Sequence, residues 1–202
     1  MALSALALNC SLAKSRGRKS STDAMIGVLA EAFDAHDVKI AETIRIVDHN
    51  VAWGVSSNEG PGDDWPKIRE KILAHDILVF GTPIWMGQIC SVGKLVLERM
   101  DAFLSETDDA GRMPSYGKVA VAAIVGNEDG AHWASSQIFQ SLNDTGWTIP
   151  AVAACYWVGE AMGSTDFVDL EHRPRKVTET AKMVAANAAH LAGLLKGSPY
   201  PG

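Results

Sequence analysis

The stretch Ile77-Leu78-Val79-Phe80-Gly81-Thr82-Pro83-Ile84-Trp85-Met86-Gly87-Gln88 decides the fold. Its first four residues are wholly apolar, without alternation, as in a strand covered on both faces. Gly81, Pro83 and Gly87 then mark a loop. A helical pattern follows from Ser91, with Val92, Leu95, Val96, Met100 and Phe103 on one face. A buried strand that leaves through a loop into an amphipathic helix is one unit of a parallel sheet, because parallel neighbours need crossover connections.

The same unit recurs on either side. Ala2 to Leu8 reads as a strand, and Thr22 to His36 as a helix opened by a capping-box pattern at Ser20 to Asp23. Glu42 to Asp48 alternates like a strand and precedes a short helix, Trp65 to Ala74. Val119 to Val125 is a second continuous apolar strand, followed by a helix from about Ala131 to Gly146. A strand from Thr148 to Val158 and a helix from about Arg175 to Lys196 complete five β-α units. The expectation is an α/β fold of one domain over residues 1–202: a doubly wound five-stranded parallel sheet, order 2-1-3-4-5, with helices on both faces. No sixth unit fits after Lys196.

Composition narrows the function. A net charge of −6 argues against a nucleic-acid partner, which selects a basic face. The longest apolar runs fall short of the roughly 20 residues a membrane helix needs, so no membrane insertion is expected. Met1 to Leu8 lacks the basic flank and cleavage site of a signal peptide. Three cysteines without a CxxC pair suggest neither disulfides nor zinc, and point to a reducing cytoplasm. Six histidines show no metal spacing. No GxGxxG follows the first strand, no Walker loop is in register, and no GxSxG elbow occurs.

The site is expected at the carboxyl edge of the sheet, among Asn9 to Ser21, Asp48 to Asp64, Gly81 to Cys90, Gly126 to Gly130 and Gly159 to Pro174. The first of these loops carries Ser11, the cations Lys14, Arg16, Arg18 and Lys19, and then Ser20-Ser21-Thr22 at a helix start. Free helix amides and hydroxyl donors there suit an anion; the plainer reading is a capped helix behind a solvated loop. Trp85 offers a broad apolar face for a planar ligand, or else folds into the core. Gly126-Asn127-Glu128-Asp129-Gly130 makes a third wall, though alone it is a turn signal. Trp53, Trp133 and Trp157 fall at the same edge, whereas Trp65 and Trp147 read as packing residues. His132 is placed to line the cleft, and Cys10 and Cys90 read as idle thiols.

Thr82-Pro83-Ile84-Trp85-Met86-Gly87, followed by a helix with Lys94, Glu98 and Arg99 in a K-x-x-x-[DE]-R pattern, resembles the NAD(P)H-dependent FMN reductase and quinone reductase branch of the flavodoxin superfamily. The resemblance runs from Ala2 to about Val158. It implies a flavodoxin-like fold, FMN as cofactor and NAD(P)H as hydride donor. It further implies a small acceptor (quinone, azo compound or flavin) and a homodimer or homotetramer. Ser11, Ser20, Ser21 and Thr22 would hold the FMN phosphate. Thr82, Pro83, Ile84, Trp85, Met86 and Gly87 would border the ribityl chain and ring, and Gly126, Asn127, Glu128, Asp129 and Gly130 would reach the ring's polar edge. The first loop is longer and more basic than usual in that family, and Glu128 and Asp129 are acidic where glycine is common. The rival readings are a flavodoxin-type electron carrier, whose Ser/Thr-x-Thr-Gly-x-Thr loop is missing here, and a flavin-free interaction module. The long loops Asp48 to Asp64 and Gly159 to Pro174 are expected to roof an acceptor pocket.

Overall fold

The structure is a computed structural model and describes residues 2–201. In chain order its elements are β1 (Ser4–Asn9), α1 (Ser21–Asp34), β2 (Lys39–Arg45), α2 (Trp65–Leu73), β3 (Ile77–Trp85), β4 (Gln88–Ile89) and α3 (Ser91–Met100). They continue with β5 (Val119–Gly126), α4 (Ala131–Asp144), β6 (Ala154–Val158) and α5 (Arg175–Gly197). The parallel sheet runs β2-β1-β3-β5-β6, and β4 pairs antiparallel with the end of β3. With that two-residue strand set aside, the order is the expected 2-1-3-4-5. The fold is a flavodoxin-like doubly wound sheet.

Strand alternation divides the core in two. Ala5, Ala7, Ile77, Val79 and the odd-numbered residues Val119 to Val125 pack against α1 and α5. Leu6, Leu8, Leu78, Phe80, Ala120, Ala122 and Ile124 face α2, α3 and α4. Both faces of the three central strands are thereby removed from water, which accounts for their unbroken apolar runs.

Three element boundaries differ from expectation, each for a local reason. The second strand is Lys39–Arg45, and Ile46–Asp48 coils into a 3-10 turn. Its register follows pairing with β1, from Ser4↔Lys39 to Asn9↔Arg45, and as an edge strand with mostly exposed residues it carries little apolar signal. The last strand begins only at Ala154. Thr148 makes an isolated bridge to Val119, and Pro150 and the left-handed Val152 (φ 55°) interrupt the segment.

The third boundary shapes the site. β3 does not end at Phe80 but runs on to Trp85 and turns back through a two-residue hairpin into β4. Met86 (φ 52°) and Gly87 (φ 73°) are both left-handed, as a tight hairpin of right-twisted strands requires. Proline is tolerated in β3 because β1 has already left: its last pair is Asn9↔Gly81, and only β5 accompanies the strand from there to Pro83↔Val125. The gap where β1 stops and β3 and β5 continue is the floor of a cleft.

Candidate functional site

The cleft has a volume of about 560 Å³, within the roughly 300–1,000 Å³ of small-molecule sites. Ser11, Leu12, Ala13 and Lys19 to Thr22 line one end. Pro83, Ile84, Trp85 and Val125 to Glu128 form one side, and Trp157, Met162 and Asp166 to Val168 the other.

At the polar end, α1 begins with a complete capping box: Ser20 accepts from the Asp23 amide and Asp23 accepts from the Ser20 amide. Beneath it lies a hub of polar side chains. Asn9 Nδ2 donates to Ser20 Oγ at 3.2 Å and to Asp23; Asn9 Oδ1 accepts from the Ser11 amide and hydroxyl at 2.8 and 2.6 Å. Arg45, nine-tenths buried, pairs with Asp23 and reaches the carbonyls of Ala13 and Arg18. Ser11 and Ser20 are therefore committed to the scaffold. Thr22 stands beside them in the first turn of α1, 1% exposed and lining the cleft. The start of α1, with Lys19 beside it and hydroxyl side chains on its first turn, suits an anion, so a phosphate there fits the residues present. Gly81 keeps α1 close, since a Cβ there would lie 2.8 Å from the Leu8 carbonyl and 2.9 Å from Thr22 Cγ2.

At the apolar end, Trp85 is half exposed beside Ile84, and Trp157 packs on Phe167 at 5.4 Å between ring centroids. Glu128 grips the hairpin tip, accepting from the Met86 and Gly87 amides, each at 2.9 Å. Gly130 touches the same tip: a Cβ on it would come within 2.4 Å of the Gly87 carbonyl oxygen. Asn127 performs the matching task on the other wall, donating from Nδ2 to the Gly163 carbonyl (3.2 Å) and to Asp166 (3.0 Å). The side chains of Asn127 and Glu128 thus hold the two walls rather than projecting freely into the cleft.

The fifteen candidate residues divide accordingly. Ser11, Ser20, Ser21, Thr22, Pro83, Ile84, Trp85, Gly126, Asn127 and Glu128 line the cleft. Thr82 does not; it is fully buried behind the wall, donating to the Pro83 carbonyl and touching Cys90, because β3 continues through it. Met86, Gly87, Asp129 and Gly130 lie off the lining, in the hairpin tip and the start of α4. Of the aromatic set, Trp85 and Trp157 border the cleft, whereas Trp53 and Trp133 are exposed elsewhere. Trp65 and Trp147 are buried, as packing residues should be. His132 also lies off the lining, its Nε2 3.1 Å from the Tyr156 hydroxyl.

Of the two long loops, only the second forms part of the cleft, through Met162 and Asp166 to Val168. No residue of Asp48 to Asp64 lines it, which corrects the expectation of a shared roof. That loop is clamped elsewhere by Arg99. The cysteines are buried and protonated: burial, with Cys90 nearby, pushes Cys10 well up, burial raises Cys90, and burial takes Cys155 to about 12. Asn9 and Arg45 were not legible as site residues, since neither stands in a motif and both act through buried contacts.

A family model described as NADPH-dependent FMN reductase matches residues 3–162. The chain belongs to that family. It is a flavodoxin-like, FMN-binding oxidoreductase that uses NAD(P)H, and the family match extends over every wall of the cleft up to Met162. A relative from Streptomyces davaonensis, 8-demethyl-8-aminoriboflavin-5'-phosphate synthase, is 31% identical over 99% of this chain and 81% of its own. The crystal structure of RosB with bound 8-demethyl-8-formylriboflavin-5'-phosphate superposes with a TM-score of 0.86 at 30% identity, covering 98% of this chain and 82% of that one. A divalent metal cation transporter MntH from Mycobacterium bovis is 35% identical over 83% of this chain, which spans only 25% of that protein. Among the described residues of the FMN reductase-family chain, no helix is long and apolar enough to cross a membrane.

Proposed function

We propose that this protein holds FMN with its phosphate at the start of α1 and its ring between Trp85 and Trp157. In this reading it passes hydride equivalents from NAD(P)H to a small acceptor of the quinone, azo or flavin class. The observation that carries the reading is the two-ended cleft: the start of α1 with Ser21, Thr22 and Lys19 at one end, aromatic walls at the other. Bound there, FMN supplies the hydride chemistry, and the protein supplies position and electrostatics. Lys19 and the Ser21 and Thr22 amides neutralise the phosphate; Ile84, Trp85 and Val125 exclude water from one ring face. Glu128 and Asn127 hold the walls at a fixed separation. No side chain needs to act as acid or base. The protein would work in the cytoplasm, as a homodimer or homotetramer.

Steady-state oxidation of NADH and NADPH with a panel of quinone, azo and free-flavin acceptors tests the reading; turnover with none of them would remove it. A second reading treats the flavin as reactant, and the 31% identical relative named as an aminoriboflavin phosphate synthase favours it. Mass spectrometry of the flavin recovered after turnover separates the two, since a carrier returns FMN unchanged.

A further inference from the structure

Met86 and Met162 share an unusual setting. Each is left-handed, with φ 52° and 64°, and each is followed by glycine, as Met86-Gly87 and Met162-Gly163. Each also occupies a turn position that glycine or asparagine ordinarily fills. Met86 is the first of the two central residues of the β3–β4 hairpin, where Asn-Gly is the usual pair. Met162 is the third residue of a turn closed by the Gly163 amide on the Glu160 carbonyl at 2.8 Å, where a positive φ favours glycine. The two side chains are 86% and 97% exposed, so packing does not place them there. A bulky side chain on a left-handed backbone costs free energy, and no burial offsets it at either position.

Both backbones are held by one dipeptide of the β5–α4 loop. Glu128 accepts from the Met86 and Gly87 amides, each at 2.9 Å. Its neighbour Asn127 accepts the Met162 amide on its carbonyl at 3.1 Å and donates from Nδ2 to the Gly163 carbonyl at 3.2 Å. The two tips belong to opposite walls of the flavin cleft: Met162 lines it, and Met86 follows the lining residue Trp85. Each is a fixed mount that carries a flexible thioether. Left-handed residues that the surrounding structure over-determines cluster at ligand clamps and active sites. Unbranched methionine adapts to varied apolar shapes, and its sulfur makes favourable contacts with aromatic rings. Two carboxylates stand beside the pair, Glu128 on the Met86 tip and Glu160 two residues before Met162, and they oppose an anionic ligand.

We infer that Met86 and Met162 are specificity-determining residues for the electron acceptor. Their thioethers receive the ring of an uncharged planar aromatic acceptor at the mouth of the cleft, and the flanking carboxylates select it over an anionic analogue. The inference rests on the placement of FMN proposed above, since a flavin ring between Trp85 and Trp157 leaves the mouth as the acceptor's approach.

The test titrates menadione, an uncharged naphthoquinone, and separately a ring-sulfonated naphthoquinone into oxidised FMN-loaded protein, with binding read from the flavin difference spectrum. Wild type is compared with Met86→Asn/Met162→Asn and with Met86→Leu/Met162→Leu, each at full FMN occupancy. Asparagine suits a left-handed backbone, so the first variant removes the thioethers while easing both turns; leucine keeps the apolar contact. The expected result is saturable menadione binding by wild type that the asparagine variant weakens about tenfold, roughly 1.4 kcal/mol, with Tm equal to wild type or higher. The leucine variant should retain most of the affinity, and wild type should bind the sulfonated ring more weakly than menadione by a similar factor. Menadione affinity unchanged in the asparagine variant, affinity lost in step with a lowered Tm, or equal affinity of wild type for the two naphthoquinones overturns the inference. Failure of wild-type apo-protein to take up FMN counts instead against the placement of the flavin.

Discussion

Arg99 Nη2 donates to Asp63 Oδ2 at 2.6 Å, with both side chains out of contact with water. The same guanidinium donates to the Ala52 carbonyl at 2.7 Å and the Ser56 carbonyl at 3.0 Å, and lies over the Trp65 ring. One residue of α3 thereby fixes a loop of the preceding crossover. Arg99→Ala leaves a buried carboxylate without its partner and is expected to cost about 3–5 kcal/mol of stability. Arg99→Lys recovers only part, because an ammonium cannot reproduce the fork. Urea unfolding measures both, and FMN affinity of the folded variants should be unchanged because this loop lies off the cleft.

The pair also sets an acid limit. Burial opposes ionisation of Asp63, but hydrogen bonds from Arg99 and from the amides of Glu59, Trp65 and Ala52 outweigh it, holding the carboxyl below the usual carboxylate range. A group depressed in the folded state contributes its full stabilisation above its unfolded value, about 3.9, and loses it as pH falls through the folded value. Stability should therefore fall on acidification below about pH 4. Asp63→Asn should be less stable at neutral pH and show a flatter acid limb in unfolding free energy against pH.

Glu128 makes the hairpin tip dependent on one carboxylate. Glu128→Ala leaves the Met86 and Gly87 amides without their acceptor and should destabilise the tip by about 1.5–3 kcal/mol, the range for hydrogen bonds to charged groups. Glu128→Gln keeps one acceptor oxygen and should fall between. Hydrogen exchange at the Met86 and Gly87 amides is the direct measure: faster exchange is expected in both, most in the alanine variant.

Ser21→Ala/Thr22→Ala should weaken FMN binding about tenfold, roughly 1.4 kcal/mol, while the apo fold survives. The cap is Ser20, and its capping box with Asp23 is untouched by the double variant. Fluorescence titration of apo-protein with FMN provides the value, and far-ultraviolet dichroism the control.

Much of this was legible because the three central strands are buried on both faces and therefore read as unbroken apolar runs. Edge strands gave the weakest signal: β2 exposes Lys39, Ala41, Glu42 and Thr43, and backbone pairing with β1 decides its register. Pro83 was read as a loop residue, yet it continues β3 because β1 ends at Asn9 and frees that side of the strand. Thr22 stood out as a helix-start hydroxyl. Arg45 could not, since its role depends on Asp23 reaching it across the sheet edge.

The central claim is that the cleft carries FMN and that NAD(P)H reduces it. Anaerobic addition of NADPH, and separately NADH, to FMN-loaded protein tests it most directly, with the flavin absorbance followed in a single turnover. The account predicts one FMN per chain and complete bleaching by at least one of the two nucleotides. Protein that takes up no FMN, or bound FMN that neither nucleotide bleaches, would contradict it.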